Sequence, residues 1–364
     1  MKIKFTYLSV LSIALLAATG CKKDRVTVDP VPVYDIPTTY NFKNADFADA
    51  TTRLAMITEI QTVEKAATSG VVDAAKAKAM FSNTGSPFVT ASFNTSGIQL
   101  KDQTAPAFQT DAITFIDLLT DVSKTGTPAS RGVAGVGASS ANATSIYALT
   151  AEGINYAQVF NKTIMGGLIT YQIVSTMAAA NAGTIDNNTV TNGHTALEHA
   201  WDLAFGYWGV PIDFPTNTTN PKPVFWGSYS SQVDAGYHAN KILMDAFLKG
   251  RAAISAKDNQ TVKEQASIII QAMERLTGAA ALQEVKEAKE SMNDNILRNS
   301  RLSECYGFVY SLKYNPKRTI TDTQYNDLLK LFPANYYDLT LDQLNIIRDA
   351  IAKQYNFDDV KDVL

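Results

Sequence analysis

Cysteine and histidine are scarce in this chain, with two of the former and three of the latter in 364 residues. That scarcity excludes a disulfide framework and any multi-zinc architecture. Charge is sparse as well: 18% of residues are charged and the formal net charge is −3, against roughly 25% charged in average soluble domains. Without a basic excess there is no electrostatic pull toward nucleic acid, and no nucleic-acid partner is expected. Neither a Gly-rich phosphate loop nor a Ser/His/Asp constellation is visible. Apolar residues, in contrast, make up 46% of the chain, ample for a large buried core.

The N-terminus reads as a targeting segment. Lys2 and Lys4 precede an apolar run through Leu15 and Leu16, too short for a mature membrane span. Ala18-Thr19-Gly20-Cys21 then resembles a bacterial lipobox. Residues 1–20 are expected to be a lipoprotein signal peptide, with Cys21 lipidated after cleavage. Lys22 and Lys23 follow the cysteine where an inner-membrane retention signal would carry Asp, which favours an outer-membrane anchor facing the periplasm or the cell surface. Cys305 lies among Leu302, Tyr306 and Phe308 and is expected to be a buried, inert thiol.

Residues 22–42 are rich in Pro, Val and Thr and read as a tether whose end, Tyr34 to Tyr40, docks on the domain. From 43 to 364 the signals are helical. Helices are expected at about 47–67, 106–123, 146–179, 194–208, 231–255, 259–277, 282–291, 295–314, 322–332 and 341–354. Gly166 and Gly167 would let a neighbour approach the long helix closely, and the Gly/Ala/Ser/Thr-rich stretch 125–144 reads as a mobile loop. Asp294 and Thr340 look like N-caps, with Gln343 completing a capping box. No period-2 run of strand length stands out. The expected fold is all-α, built of antiparallel helical bundles, two of which can share one core.

One segment concentrates chemistry: Gly193-His194-Thr195-Ala196-Leu197-Glu198-His199-Ala200-Trp201-Asp202. On a helix, His194 and Glu198 would lie about 40° apart, on the stripe of Trp201, Phe205 and Trp208. His199 would lie about 140° from His194, too far for both to hold one ion from a straight helix. The two histidines are five apart rather than four, so the zinc-protease helix is absent. His199 and Asp202, about 60° apart on the same scheme, form a rival pair. Either pair is a metal or small-ligand site, completed by Glu59, Glu152 or Glu304, or it is buried packing. Arg301 also offers Glu304 an ordinary ion pair.

Gly193, Glu198, Trp208 and Gly209 resemble the signature helix of imelysin-like envelope proteins, with Thr195 at the motif's His place and His194 just before it. A closer likeness is to the lipoprotein group catalogued as domain of unknown function 4856. It is carried by Gly153-Ile154-Asn155-Tyr156-Ala157-Gln158, by Glu198 through Tyr207, and by Leu302 through Phe308. In that group Glu198-His199-x-x-Asp202 looks like the core feature. Imelysin kinship implies a two-bundle helical fold, a suspected role near iron uptake and a peptidase label. The leading expectation is therefore a lipid-anchored envelope protein binding iron, zinc or a metal-bearing ligand at His194, Glu198, His199 and Asp202. Its rivals are a non-enzymatic scaffold for an envelope protein partner and a metallopeptidase using Glu198 as base.

Overall fold

The computed structural model describes residues 33–364, so the expected signal peptide, the Cys21 lipid site and residues 22–32 of the expected tether lie outside the described residues. The first described residues rest on the domain. The Tyr34 hydroxyl donates to Asp258 at 3.0 Å, and the Tyr40 amide to the Ile212 carbonyl at 2.7 Å.

Helices α1 (Ala48–Lys65), α2 (Ala74–Ser82), α3 (Ala91–Thr95) and α4 (Pro106–Ser123) come first. A hairpin of β1 (Gly135–Ala138) and β2 (Ile146–Leu149) leads into α5 (Tyr156–Ile164) and α6 (Tyr171–Ala182). A shorter hairpin, β3 (Val190–Thr191) and β4 (His194–Thr195), precedes α7 (Ala196–Trp208). Then follow α8 (Trp226–Gln232), α9 (Asp234–Tyr237), α10 (Ala239–Ala256), α11 (Asn259–Glu290), α12 (Asn295–Ser311), α13 (Asp322–Lys330) and α14 (Leu341–Tyr355). The all-α expectation holds, and the two hairpins are the only sheets among the described residues.

The core organises around α11, whose 32 residues pack against α6, α10, α12 and α14. Short links at 257–258 and 291–294 fold α10, α11 and α12 back on one another as antiparallel neighbours. Asp294 and Thr340 cap α12 and α14 as expected, and Gln343 closes the box with Thr340. Cys305 is fully buried, and burial, with Glu284 nearby, pushes its thiol well up, so it is inert.

Several expected elements need correction. The helix expected over 231–255 is in fact the end of α8, then α9 and α10, with His238 left-handed (φ 55°) between the last two. The break expected between 277 and 282 does not occur: α11 runs straight through Gly278-Ala279-Ala280-Ala281. Small residues there admit a neighbour, since a Cβ on Gly278 would lie 2.3 Å from the Tyr355 ring of α14.

The expected helix over 146–179 starts only at Tyr156, where Asn155 caps the Ala157 and Gln158 amides, and residues 146–149 are strand β2. Between α5 and α6 the chain passes through a π-helical turn, Met165–Thr170, that holds both glycines. Wider winding frees carbonyls for outside donors: Gly167 O accepts from the Ala105 amide at 2.7 Å, and Met165 O from the Trp226 indole at 3.3 Å. Gly167 lies against Phe108 and Gly166 against Ser311, the close approach that their size allows. The stretch Tyr156–Ala182 is long and apolar enough to cross a membrane, but about two thirds of its most apolar 18 residues is packed inside the fold.

Residues 125–144 are not simply a loop, because β1 lies within them. Glycine is required where that strand crosses other backbone, since a Cβ on Gly135 would sit 1.9 Å from the Thr127 carbonyl. Asp294 ties this region to α12. One carboxylate oxygen accepts from the Leu297 amide at 3.0 Å, the other from the Ser139 hydroxyl and the Ser140 amide at 2.7 Å each. Burial alone would raise the Asp294 carboxyl, but these donors outweigh it and hold it at about 2. A carboxyl lowered on folding stabilises fully above its unfolded value near 3.9, and that contribution fades as pH falls toward about 2. Asp294→Ala is expected to cost about 1–2 kcal/mol at neutral pH and to speed amide exchange at Ser140 and Ala141. Urea titrations at pH 7 and pH 2.5 test this, because the gap between parent and variant must narrow at the lower pH.

Candidate functional site

The hairpin before α7 decides the geometry. Asn192 and Gly193, with φ of 56° and 90°, form the two-residue turn between β3 and β4. Positive φ at both turn positions is the type I′ signature that Asn-Gly favours. His194 is therefore extended, and the helix begins only after Thr195, whose side chain and Glu198 form a capping box. This corrects the helical placement of His194: it does not lie on the Trp201–Phe205–Trp208 stripe, and its angular separation from His199 on a helix has no meaning. The two imidazoles instead stack, with ring centres 4.6 Å apart and planes at 19°.

Asp46, on the segment leading into α1, completes the cluster. One donor atom from each of Asp46, His194 and His199 lies within 4.8 Å of the others. Both rings are half-buried and Asp46 is exposed. His194 Nδ1 lies 3.3 Å from the Thr195 carbonyl, whereas His199 Nδ1 is buried without a hydrogen-bond partner. One Asp46 oxygen accepts from the Ala48 amide at 3.2 Å. An ion must lie near the plane of each imidazole that ligates it. Rings this close to parallel share no such point nearby, so one of them has to turn for both to bind.

Glu198 and Asp202 do something else. Both clamp Arg251 of α10, a guanidinium only 2% exposed. Arg251 Nε donates to Asp202 at 2.8 Å, and Nη1 to Glu198 at 2.9 Å and to Ser255 at 2.7 Å. Ser255 donates to the same Glu198 oxygen at 2.7 Å, and the Thr195 amide to the other at 2.9 Å. Asp202, fully buried, also accepts from the Tyr40 hydroxyl at 2.7 Å and the Asp46 amide at 3.3 Å. Burial by itself would raise the Glu198 carboxyl. The Thr195 amide, Ser255 and Arg251 reverse that and hold it below the ordinary range. Burial would likewise lower the Arg251 value, and Asp202 leads the groups that raise it instead. The rival pair is thus split: His199 faces His194, while Asp202 faces Arg251.

The expected outlying ligands do not join the cluster. Glu59 accepts from the Val89 and Thr90 amides at 2.9 and 3.1 Å. Glu152 lies in an exposed turn, not on the long helix as expected, and its carbonyl accepts from the Tyr336 amide at 2.8 Å. Glu304 is buried in its own ion network, 2.8 Å from Lys162 and 3.1 Å from Arg301. The Tyr229 hydroxyl there lies 3.0 Å from Glu284 and 3.1 Å from Glu304. Its one proton is shared between the two carboxylates or directed to one of them. Burial and the Glu304 charge push the Glu284 carboxyl well up.

Asp46 escaped sequence reasoning because an acid just before a helix reads as an ordinary N-terminal residue. The hairpin did carry a signal: Asn192-Gly193 is the strongest short-range mark of a two-residue hairpin. A model of the family described as domain of unknown function (DUF4856) matches residues 37–358. No curated protein and no solved structure gives a significant match.

Proposed function

Because the chain belongs to this family, whose description names no activity, we propose from the site alone that it binds one divalent transition-metal ion, zinc or iron(II), through His194, His199 and Asp46. The observation that carries this reading is the convergence of three donor groups, from the segment before α1, from β4 and from α7. His199 also has a buried ring nitrogen, Nδ1, without a hydrogen-bond partner. Two imidazoles and a carboxylate suit zinc or ferrous iron and leave positions for water or a chelating ligand. Glu198 and Asp202 support the site without ligating: they hold α7 on α10, and Asp202 fixes the Asp46 backbone beside the histidines.

The N-terminal pattern adds the setting, a lipid-anchored protein of the outer membrane that presents the ion site to the periplasm or the medium. A part in iron acquisition rests on the imelysin resemblance. The peptidase reading finds no support here, since both oxygens of its proposed base are engaged by Arg251, Ser255 and Thr195.

Elemental analysis of the purified chain after zinc or iron(II) loading and desalting is expected to find about one ion per chain. His194→Ala/His199→Ala should lose it while staying folded. Asp46→Asn should weaken binding by more than the roughly 10–100-fold that follows loss of a ligand's hydrogen-bonding partner. Glu198→Gln should keep the metal. A folded parent without stoichiometric metal, or a double histidine variant that retains it, would sink the proposal.

A further inference from the structure

A cleft of about 520 Å³ opens between α1 and the segment that follows α7, and none of its lining residues belongs to the histidine cluster. Its size falls within the range of small-ligand pockets. Leu54, Phe93, Val210 and Val224 give it an apolar lining, and Val224 leaves 40% of its surface open to solvent.

Most polar side chains on its walls are already bonded, although the Thr90 hydroxyl is not. Thr51 and Thr58 donate their hydroxyl protons to the Ala48 and Leu54 carbonyls, at 2.9 and 3.1 Å. Glu59 spends both oxygens on the Val89 and Thr90 amides. Lys222 is different. It is the one cation on the lining, it is exposed, and among the described residues it makes no side-chain hydrogen bond or ion pair. An apolar cavity with a single unsatisfied ammonium at its edge selects for an apolar body carrying one negative group. A cationic amphiphile would meet Lys222 as a like charge and would find Glu59 already bonded.

We propose that this cleft binds an amphipathic monocarboxylate, its hydrocarbon part against Leu54, Phe93 and Val224 and its carboxylate on Lys222. The inference stands apart from the metal reading, because the two sites share no residue.

Calorimetric titration of the purified chain with sodium decanoate, kept below micelle formation, tests it. One saturable site is expected. Lys222→Glu should weaken decanoate by at least about tenfold, the scale of one charge-assisted hydrogen bond, and should leave 1-decanol unaffected. Ala55→Trp, a substitution at an exposed helical position on the cleft wall, should block both probes without altering the melting temperature. Absence of saturable decanoate binding by the parent overturns the proposal. So does undiminished decanoate binding by either Lys222→Glu or Ala55→Trp.

Discussion

Arg251→Met is expected to destabilise the protein by about 3–5 kcal/mol, the usual cost of removing one partner from a buried ion cluster. The guanidinium is the shared counter-charge for Asp202, which has no exposed surface, and for Glu198. Methionine would fill much of the volume but leave both carboxylates facing an apolar wall. Asp202 would then take up a proton, so the deficit should shrink as pH falls. Arg251→Lys should recover only part of the loss, because a single ammonium cannot reproduce the fork that reaches Asp202, Glu198 and Ser255 together. Combining Arg251→Met with Asp202→Asn should cost less than the two single losses added, since the buried charge is gone. Urea denaturation of the parent, the three single variants and the double variant provides the check. A variant Arg251→Met with the parent's midpoint would show that these contacts contribute little.

Glu64→Met, by contrast, should stabilise the protein by about 1–3 kcal/mol at neutral pH, the penalty for burying a polar group without partners. Glu64 lies in the last turn of α1, is 1% exposed, and neither carboxylate oxygen has a hydrogen-bond partner. Burial alone pushes its carboxyl well above the ordinary range, with no neighbouring charge to oppose it. For a carboxyl raised on folding, the ionisation part of the penalty is absent below its unfolded value near 4.3, and only the cost of the unpaired neutral group remains. As pH rises past that value the unfolded chain ionises while the folded one stays protonated, and stability falls until the folded value is reached. The advantage of Glu64→Met should therefore be smaller at pH 4 than at pH 7 and grow across that interval. Melting temperatures across that interval measure it, and a constant difference would contradict the assignment. Glu64→Gln should gain less, because an amide there is still unpaired.

Much of the architecture was legible along the chain. The 106–123 helix, the Asp294 and Thr340 caps, the Gly209 stop of α7 and the buried Cys305 all follow from signals within a few residues. Two of the misplaced elements share a cause. Gly278 and Gly135 look like weak points to local propensity. Each is small because a ring or a backbone carbonyl from elsewhere lies against it, the close approach already expected for Gly166 and Gly167.

The site divides in the same way. Local spacing was enough to single out the stretch from His194 to Asp202, and with the N-terminal pattern it set the question of a metal-binding envelope protein. Partnership was a matter of the third dimension. An Asn-Gly turn took His194 off the helix and stacked it on His199, and Arg251, 49 residues beyond Asp202, claimed the two carboxylates that had looked like ligands. Asp46 reached the histidines because Asp202 holds its backbone amide from 156 residues away. Helix, cap and turn are settled by neighbours in sequence, so one chain read alone can find them. Which carboxylate is neutralised and which stays open to a ligand depends on charges brought together by packing, and only the folded core decides that.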